Sequence, residues 1–249
     1  MKIIISPAKK MNMDTDSLWH QDLPLFLEKT EQLKSQLQSM SYAELKALWK
    51  CNDKIAALNV ERLQQMDLQK NLTPAILSYE GIQYQYMAPG VFTDDALAYI
   101  QKHLRILSGF YGVLRPFDGV VPYRLEMQAK LPIGEMKDLY GFWGDSLARH
   151  LASETDCIIN LASKEYSSTI SKHLPPSIRF ITCVFGEWKD GKIIEKGTIC
   201  KMARGEMVRF MAEQKISDPE DIKSFSRLNY QYSAEHSDHS RYVFLLQNV

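Results

Sequence analysis

The stretch Cys157-Ile158-Ile159-Asn160-Leu161-Ala162-Ser163-Lys164-Glu165-Tyr166 sets an apolar run directly before a dense polar group. Cys157 to Leu161 reads as a buried strand, and Ser163 with the charged residues after it reads as a helix start. Working outward, Ile3 to Ile5 form a second β-branched strand, stopped by Pro7 and followed by Lys9 and Lys10. Ile178 to Phe185 reads as another. Lys189-Asp190-Gly191-Lys192 is a hairpin turn into a strand near Ile193 to Cys200, and Tyr242 to Leu246 is a closing strand.

Between these strands the apolar period changes. Leucines at 27, 33, 37, 45, 48, 58 and 63, with Ile55, recur among Lys, Glu and Gln, so the region of about residues 23–66 is mostly helix. Ser41 precedes Glu44 by three residues, a capping-box start. That helix is interrupted at Cys51-Asn52-Asp53 and resumes from Lys54 to Met66. Thr73-Pro74 starts a short helix, and Asp94-Asp95 opens one expected to run through Leu97, Ile100 and Leu104 toward Leu107. A helix is also expected from Ala203 to Gln214, and Asp218 before Pro219 caps one more. Gly109 to Pro132, rich in Gly, Pro and aromatics, reads as a shaped loop. Without repeats or linkers, the expectation is one compact α/β domain over residues 1–249 with a helical N-terminal insertion.

Thirty Lys plus Arg balance thirty Asp plus Glu among 249 residues, so any anion site must be local rather than a property of the whole surface. With 45% hydrophobic residues the chain buries a real core. Four scattered cysteines point to a reducing cytoplasm, and no apolar stretch suits a signal peptide or membrane span. No P-loop, GxGxxG, GxSxG or HExxH pattern occurs, so no cofactor is expected. His236 and His239 around Asp238 have poor spacing for a metal and read as a polar loop, so no metal site is expected either.

Basic residues cluster at three places: Lys2, Lys9 and Lys10; Arg105, Arg115 and Arg124; and Lys201, Arg204 and Arg209 around Gly205. Helix starts and Arg forks suit phosphate, and the glycine would let a ligand approach closely. The plainer alternative pairs Arg115 with Asp118 and Arg124 with Glu126 as buried ion pairs. At the end of the 157–161 strand, Asn160, Ser163, Glu165 and Tyr166 are placed to orient a base or sugar, with Glu165 available for proton transfer. Alternatively Ser163 caps the helix and Glu165 occupies its first turn. Tyr140, Phe142 and Trp143 in DLYGFWGD stack on bases or fill the core.

Six ordered blocks carry a resemblance: SPAKKM (6–11), LSGFYGVLRPFD (107–118), PYRLEM (122–127), LYGFWGD (139–145), NLASKEY (160–166) and KMARGEM (201–207). Together, over some two hundred residues, they resemble the YaaA peroxide-stress family. The resemblance implies a cytoplasmic bacterial protein of the hydrogen peroxide response that limits iron-linked oxidative damage. It further implies a mixed sheet flanked by helices, a positively charged cleft, and a helix-hairpin-helix element that supports binding of double-stranded DNA. The cleft carries over to Lys9, Lys10, Arg115, Arg124, Lys201 and Arg204, which lie in matching blocks. The helix-hairpin-helix maps onto Ser41 to Arg62. Its turn reads Cys51-Asn52-Asp53 where such hairpins place glycines, which leaves Lys50 and Lys54 as the phosphate contacts. The expected function is therefore a DNA-binding stress protein, and the competing one an enzyme that uses Glu165, Asn160 and Tyr166 on an extruded base.

Overall fold

Ile3, Ile4 and Ile5 are fully buried because their strand lies at the centre of an eight-stranded mixed sheet. The computed structural model describes residues 1–14, 16 and 18–247. Its main strands are β1 (Lys2–Ile5), β2 (Leu104–Ser108), β3 (Gly112–Leu114), β4 (Cys157–Leu161), β5 (Arg179–Lys189), β6 (Lys192–Ile194), β7 (Tyr230–Tyr232) and β8 (Arg241–Leu246). They are ordered β7-β8-β5-β4-β1-β2-β3, with β6 paired to β5. The contiguous run β8-β5-β4-β1-β2 is parallel, and β7, β3 and β6 add antiparallel partners. Every residue of β2 and β4 is buried, as expected of parallel strands covered on both faces.

The main helices are α1 (Leu27–Gln38), α2 (Tyr42–Trp49), α3 (Asp53–Gln64), α4 (Ile82–Met87), α5 (Asp94–His103), α6 (Ser146–Glu154), α7 (Lys164–Ser171) and α8 (Gly197–Glu213). The Ser41 capping box forms, with the Ser41 side chain accepting from the Glu44 N–H and the Glu44 carboxylate accepting from the Ser41 N–H. Between α2 and α3, Lys50 takes a left-handed conformation with φ of 46°, and Asn52 caps α3 by accepting from the Ile55 N–H. Asp53 in that turn is engaged by the Lys46 ammonium at 2.7 Å and the Tyr42 hydroxyl at 3.1 Å. No helix among the described residues is long and apolar enough to cross a membrane.

Several boundaries differ from the sequence expectation. The helix opened by Asp94-Asp95 stops at His103, and Leu104 to Leu107 belong to β2. Three apolar residues around Arg105 fit either period over so short a run, and here pairing with β1 decides. Cys200 lies inside α8 rather than at a strand end, because β6 is only three residues long. The Gly109–Pro132 loop contains β3 and a two-residue ladder of Gly119–Val120 with Thr73–Pro74.

Register brings the ends of β1 and β4 level, with β2 running two residues further. Ile5 of β1 lies opposite Ile106 of β2 on one side and Leu161 of β4 on the other. The chain leaves β1 toward β2, but leaves β4 through α7 toward β5 on the opposite side. The sheet therefore reverses its winding between β1 and β4. The crevice outside the carboxyl ends of strands at such a reversal is where open α/β sheets hold ligands.

Candidate functional site

Ser6 follows β1 and Ser163 follows β4, so the reversal point brings them together. The Ser163 backbone N–H donates to the Ser6 hydroxyl at 2.9 Å, and the Tyr84 hydroxyl of α4 donates to the Ser6 carbonyl at 3.0 Å. Above them opens a cavity of about 410 Å³, in the range of small-ligand sites. Ser163 occupies the N-cap position of α7 but makes no side-chain capping bond.

Five of the six expected cleft residues line this cavity: Lys9 and Lys10 after β1, Arg124 from the loop after β3, and Lys201 with Arg204 from α8. Lys201 and Arg204 are three apart, hence on one helix face. Arg115 is elsewhere. Its guanidinium pairs with the buried Asp118 at 2.9 Å and with Asp22 at 3.1 Å, so the plainer ion-pair reading holds for this residue. Gly205 also has a different role. It sits within α8, where an added Cβ would lie 2.2 Å from the Gln83 carbonyl oxygen, so the glycine serves close packing of α8 on α4 rather than ligand approach.

Three carboxylates share the cavity with the five basic groups. Lys9 pairs with Glu126 at 2.9 Å and Lys10 with Glu80 at 2.7 Å. Arg124 and Arg204 are held less closely, their nearest carboxylates being Glu126 at 3.5 Å and Glu195 at 3.8 Å. Both arginines are largely buried, and each keeps a buried Nε–H without a hydrogen-bond partner.

Of the residues expected to act on a base, Glu165 and Tyr166 line the cavity. Burial pushes the Glu165 carboxyl above its ordinary value, and Glu126 adds to the effect, while the backbone N–H of Gln128 donates to it at 3.2 Å and opposes the shift. Burial also raises the Tyr166 phenol, which therefore stays protonated. Asn160 is buried within the strand end instead. It accepts from the Ala162 N–H at 2.9 Å and donates to the Thr182 hydroxyl at 3.3 Å. Tyr123, which sequence reasoning left out, also lines the cavity, its hydroxyl 2.6 Å from that of Ser108 and 2.9 Å from that of Tyr79.

A second cavity of about 440 Å³ adjoins the first, sharing Lys9 and Glu126, with Trp49 and Lys50 of the α2–α3 region on its wall. Lys54 is exposed on α3 and lines neither cavity. Trp143 of DLYGFWGD is a core residue, its indole N–H donating to the Gly109 carbonyl at 3.0 Å. Among the described residues, no group of three or more His, Cys, Asp or Glu side chains is arranged to hold a metal ion.

Comparison with known proteins agrees with the family resemblance. The family described as peroxide stress protein YaaA matches residues 1–236. A UPF0246 protein of Desulfitobacterium hafniense is 59% identical over 245 residues, covering 98% of each chain. UPF0246 proteins of Agathobacter rectalis and Lactiplantibacillus plantarum are 57% and 54% identical, covering 98% and 100% of each chain. The chain belongs to the YaaA peroxide stress protein family.

Proposed function

We propose that this member of the YaaA peroxide stress family protects the cell by binding DNA at the reversal-point cleft, limiting iron-linked oxidative damage there. The observation that carries the reading is the convergence of Lys9, Lys10, Arg124, Lys201 and Arg204, from three separate chain segments, on one cavity in a chain with no net charge. Phosphate contacts of this kind supply affinity without reading sequence. A duplex is too wide to enter the cavity, so it lies across the mouth, where the exposed heads of Lys9, Lys10 and Lys201 reach its backbone. Lys50 and Lys54 in the α2–α3 region extend the contact as a helix-hairpin-helix would.

Titration of duplex DNA of unrelated sequences at several salt concentrations tests this. Similar affinities for all sequences are expected, falling with salt at a logarithmic slope of about 0.9 per neutralised phosphate. A flat salt response, or no binding at low salt, would remove DNA as the target.

A second reading, an enzyme acting on a base turned into the cleft, is favoured by one feature: Glu165 stands on the cavity wall with its carboxyl pushed upward by burial. That shift brings a carboxyl closer to the range where it can exchange a proton near neutral pH.

A further inference from the structure

A buried guanidinium normally has its N–H groups satisfied, since leaving a buried donor unpaired costs free energy. Among the described residues, the buried side-chain nitrogen and oxygen atoms without partners are Trp49 Nε1, Arg124 Nε and Arg204 Nε. Two of these three belong to arginines that line the same cavity, and the arginines come from different elements, the loop after β3 and helix α8. Their nearest carboxylates, at 3.5 and 3.8 Å, lie beyond good hydrogen-bond length. Neither arginine is therefore neutralised in the way Arg115 is by Asp118 at 2.9 Å, or Arg105 by Glu154 at 2.7 Å.

We infer that Arg124 and Arg204 form a phosphoryl-anion subsite inside the cavity, and that its occupant is a single nucleotide unit. The inference rests on the reading of this cleft as the nucleic-acid site and specifies what goes inside it. A tetrahedral anion offers several acceptor oxygens, and Arg is suited to it because its planar fork presents donors at fixed angles. The cavity's place at the sheet reversal, on the carboxyl side of β1 and β4, is where a nucleotide is held in other open α/β sheets. Its volume suits a ligand of that size. With the phosphoryl group on the arginines, the rest of the unit faces the wall made by Tyr123, Glu165 and Tyr166. The same chemistry arises from a free nucleoside monophosphate or from one phosphate of a single-stranded segment.

Calorimetric titration of the full chain with deoxynucleoside 5′-monophosphates, the corresponding nucleosides, a dinucleotide phosphodiester and inorganic phosphate separates the possibilities. The expected result is one site per chain, a monophosphate or diester binding at least tenfold more tightly than the nucleoside, and competition by inorganic phosphate. Preference for the monoester identifies a free nucleotide or strand end, and preference for the diester an internal strand unit. Arg204→Gln, if it folds, should abolish most of that preference. If it does not fold, the nucleoside comparison and the phosphate competition on the unaltered chain still decide. Equal binding of nucleoside and nucleotide, or binding of neither, overturns the subsite. Duplex affinity measured on the same preparation keeps the readings apart: nucleotide binding without duplex binding removes the duplex proposal alone, and duplex binding without nucleotide binding removes this inference alone.

Discussion

The Ser6 hydroxyl accepts the backbone N–H of Ser163 at 2.9 Å, across 157 residues of sequence. The two hydroxyl oxygens are 3.3 Å apart. This contact ties the exit of β1 to the start of α7 at the point where the sheet reverses its winding. It explains why a Ser at the N-cap of α7 does not cap: its hydroxyl faces Ser6 rather than the first helical turn. The floor of the cavity is thus set by a bond between strand ends, and the side chains above it inherit that position.

Ser6→Ala removes the acceptor and leaves the Ser163 N–H without this partner. The expected loss is about 1 kcal/mol. For a chain of this size that lowers Tm by about 2–4 °C in scanning calorimetry. Ser163→Ala keeps the backbone donor and should cost less. Equal losses would mean that the hydroxyl pair, not the N–H bond, holds the strand ends together.

Gly205 tests the packing that presents Lys201 and Arg204. Replacing glycine by alanine inside a helix ordinarily stabilises it by about 1 kcal/mol. Here the new Cβ would stand 2.2 Å from the Gln83 carbonyl oxygen and 2.9 Å from the Met87 nitrogen, both backbone atoms of α4. Overpacking against backbone costs about 1–3 kcal/mol and outweighs the propensity gain. Gly205→Ala should therefore lower the denaturant midpoint. A raised midpoint would show that α8 moves away from α4 without cost.

These two contacts mark the limit of what the sequence made legible. The β-branched runs at Ile3 and Ile158 announced central strands, because strands buried on both faces leave no polar alternation to misread. Ser41 and Glu44 announced a helix start because the capping box is local. The end of α5 was not legible: Leu104-Arg105-Ile106-Leu107 has no breaker before it, and Arg105 disguises a buried strand until Glu154 is found beside it. Basic residues in three blocks pointed to one cleft, and five of six lie there. Arg115 does not, because Asp118 and Asp22 claim it locally. Nothing in the spacing signals the Tyr79-Tyr123-Ser108 hydroxyl chain, which depends on contacts across the fold.

Glu154 should contribute to acid sensitivity. Its carboxylate accepts from Arg105 Nε at 2.8 Å and from a terminal nitrogen at 2.7 Å, with Lys2 at 3.7 Å. Burial alone would raise this carboxyl, but the Arg105 fork together with Lys2 and His150 outweighs it and holds the pKa below the ordinary value of 4.5. A carboxyl lowered by folding contributes stability above its unfolded value, and that contribution is lost as pH falls through the folded one. Glu154→Gln leaves Arg105, whose side chain is only 4% exposed, without its counter-charge, at a cost of about 3–5 kcal/mol. Urea unfolding should show this gap constant between pH 6 and 8 and closing below about pH 4. A gap that persists unchanged in acid would place the stabilisation in packing instead of charge.

Glu165 behaves in the opposite sense, and it separates a binder from an enzyme. Burial, reinforced by Glu126, raises its carboxyl above 4.5, so folding favours the protonated form. Such a group contributes stability below its unfolded value and loses it as pH rises through the folded value. Glu165→Gln imitates the protonated form with the same shape, and its side-chain oxygen can still accept from the Gln128 N–H. The variant should match or exceed the unaltered chain in Tm at pH 7 to 8, with the difference vanishing in acid. Its affinity for duplex DNA should hold or rise, since one repulsive charge leaves the cleft. A binder with those properties protects cells from peroxide as well as before. If the variant folds and binds DNA but protection is lost, the carboxylate is needed for proton transfer rather than for attraction, and the cleft is then the site of a reaction.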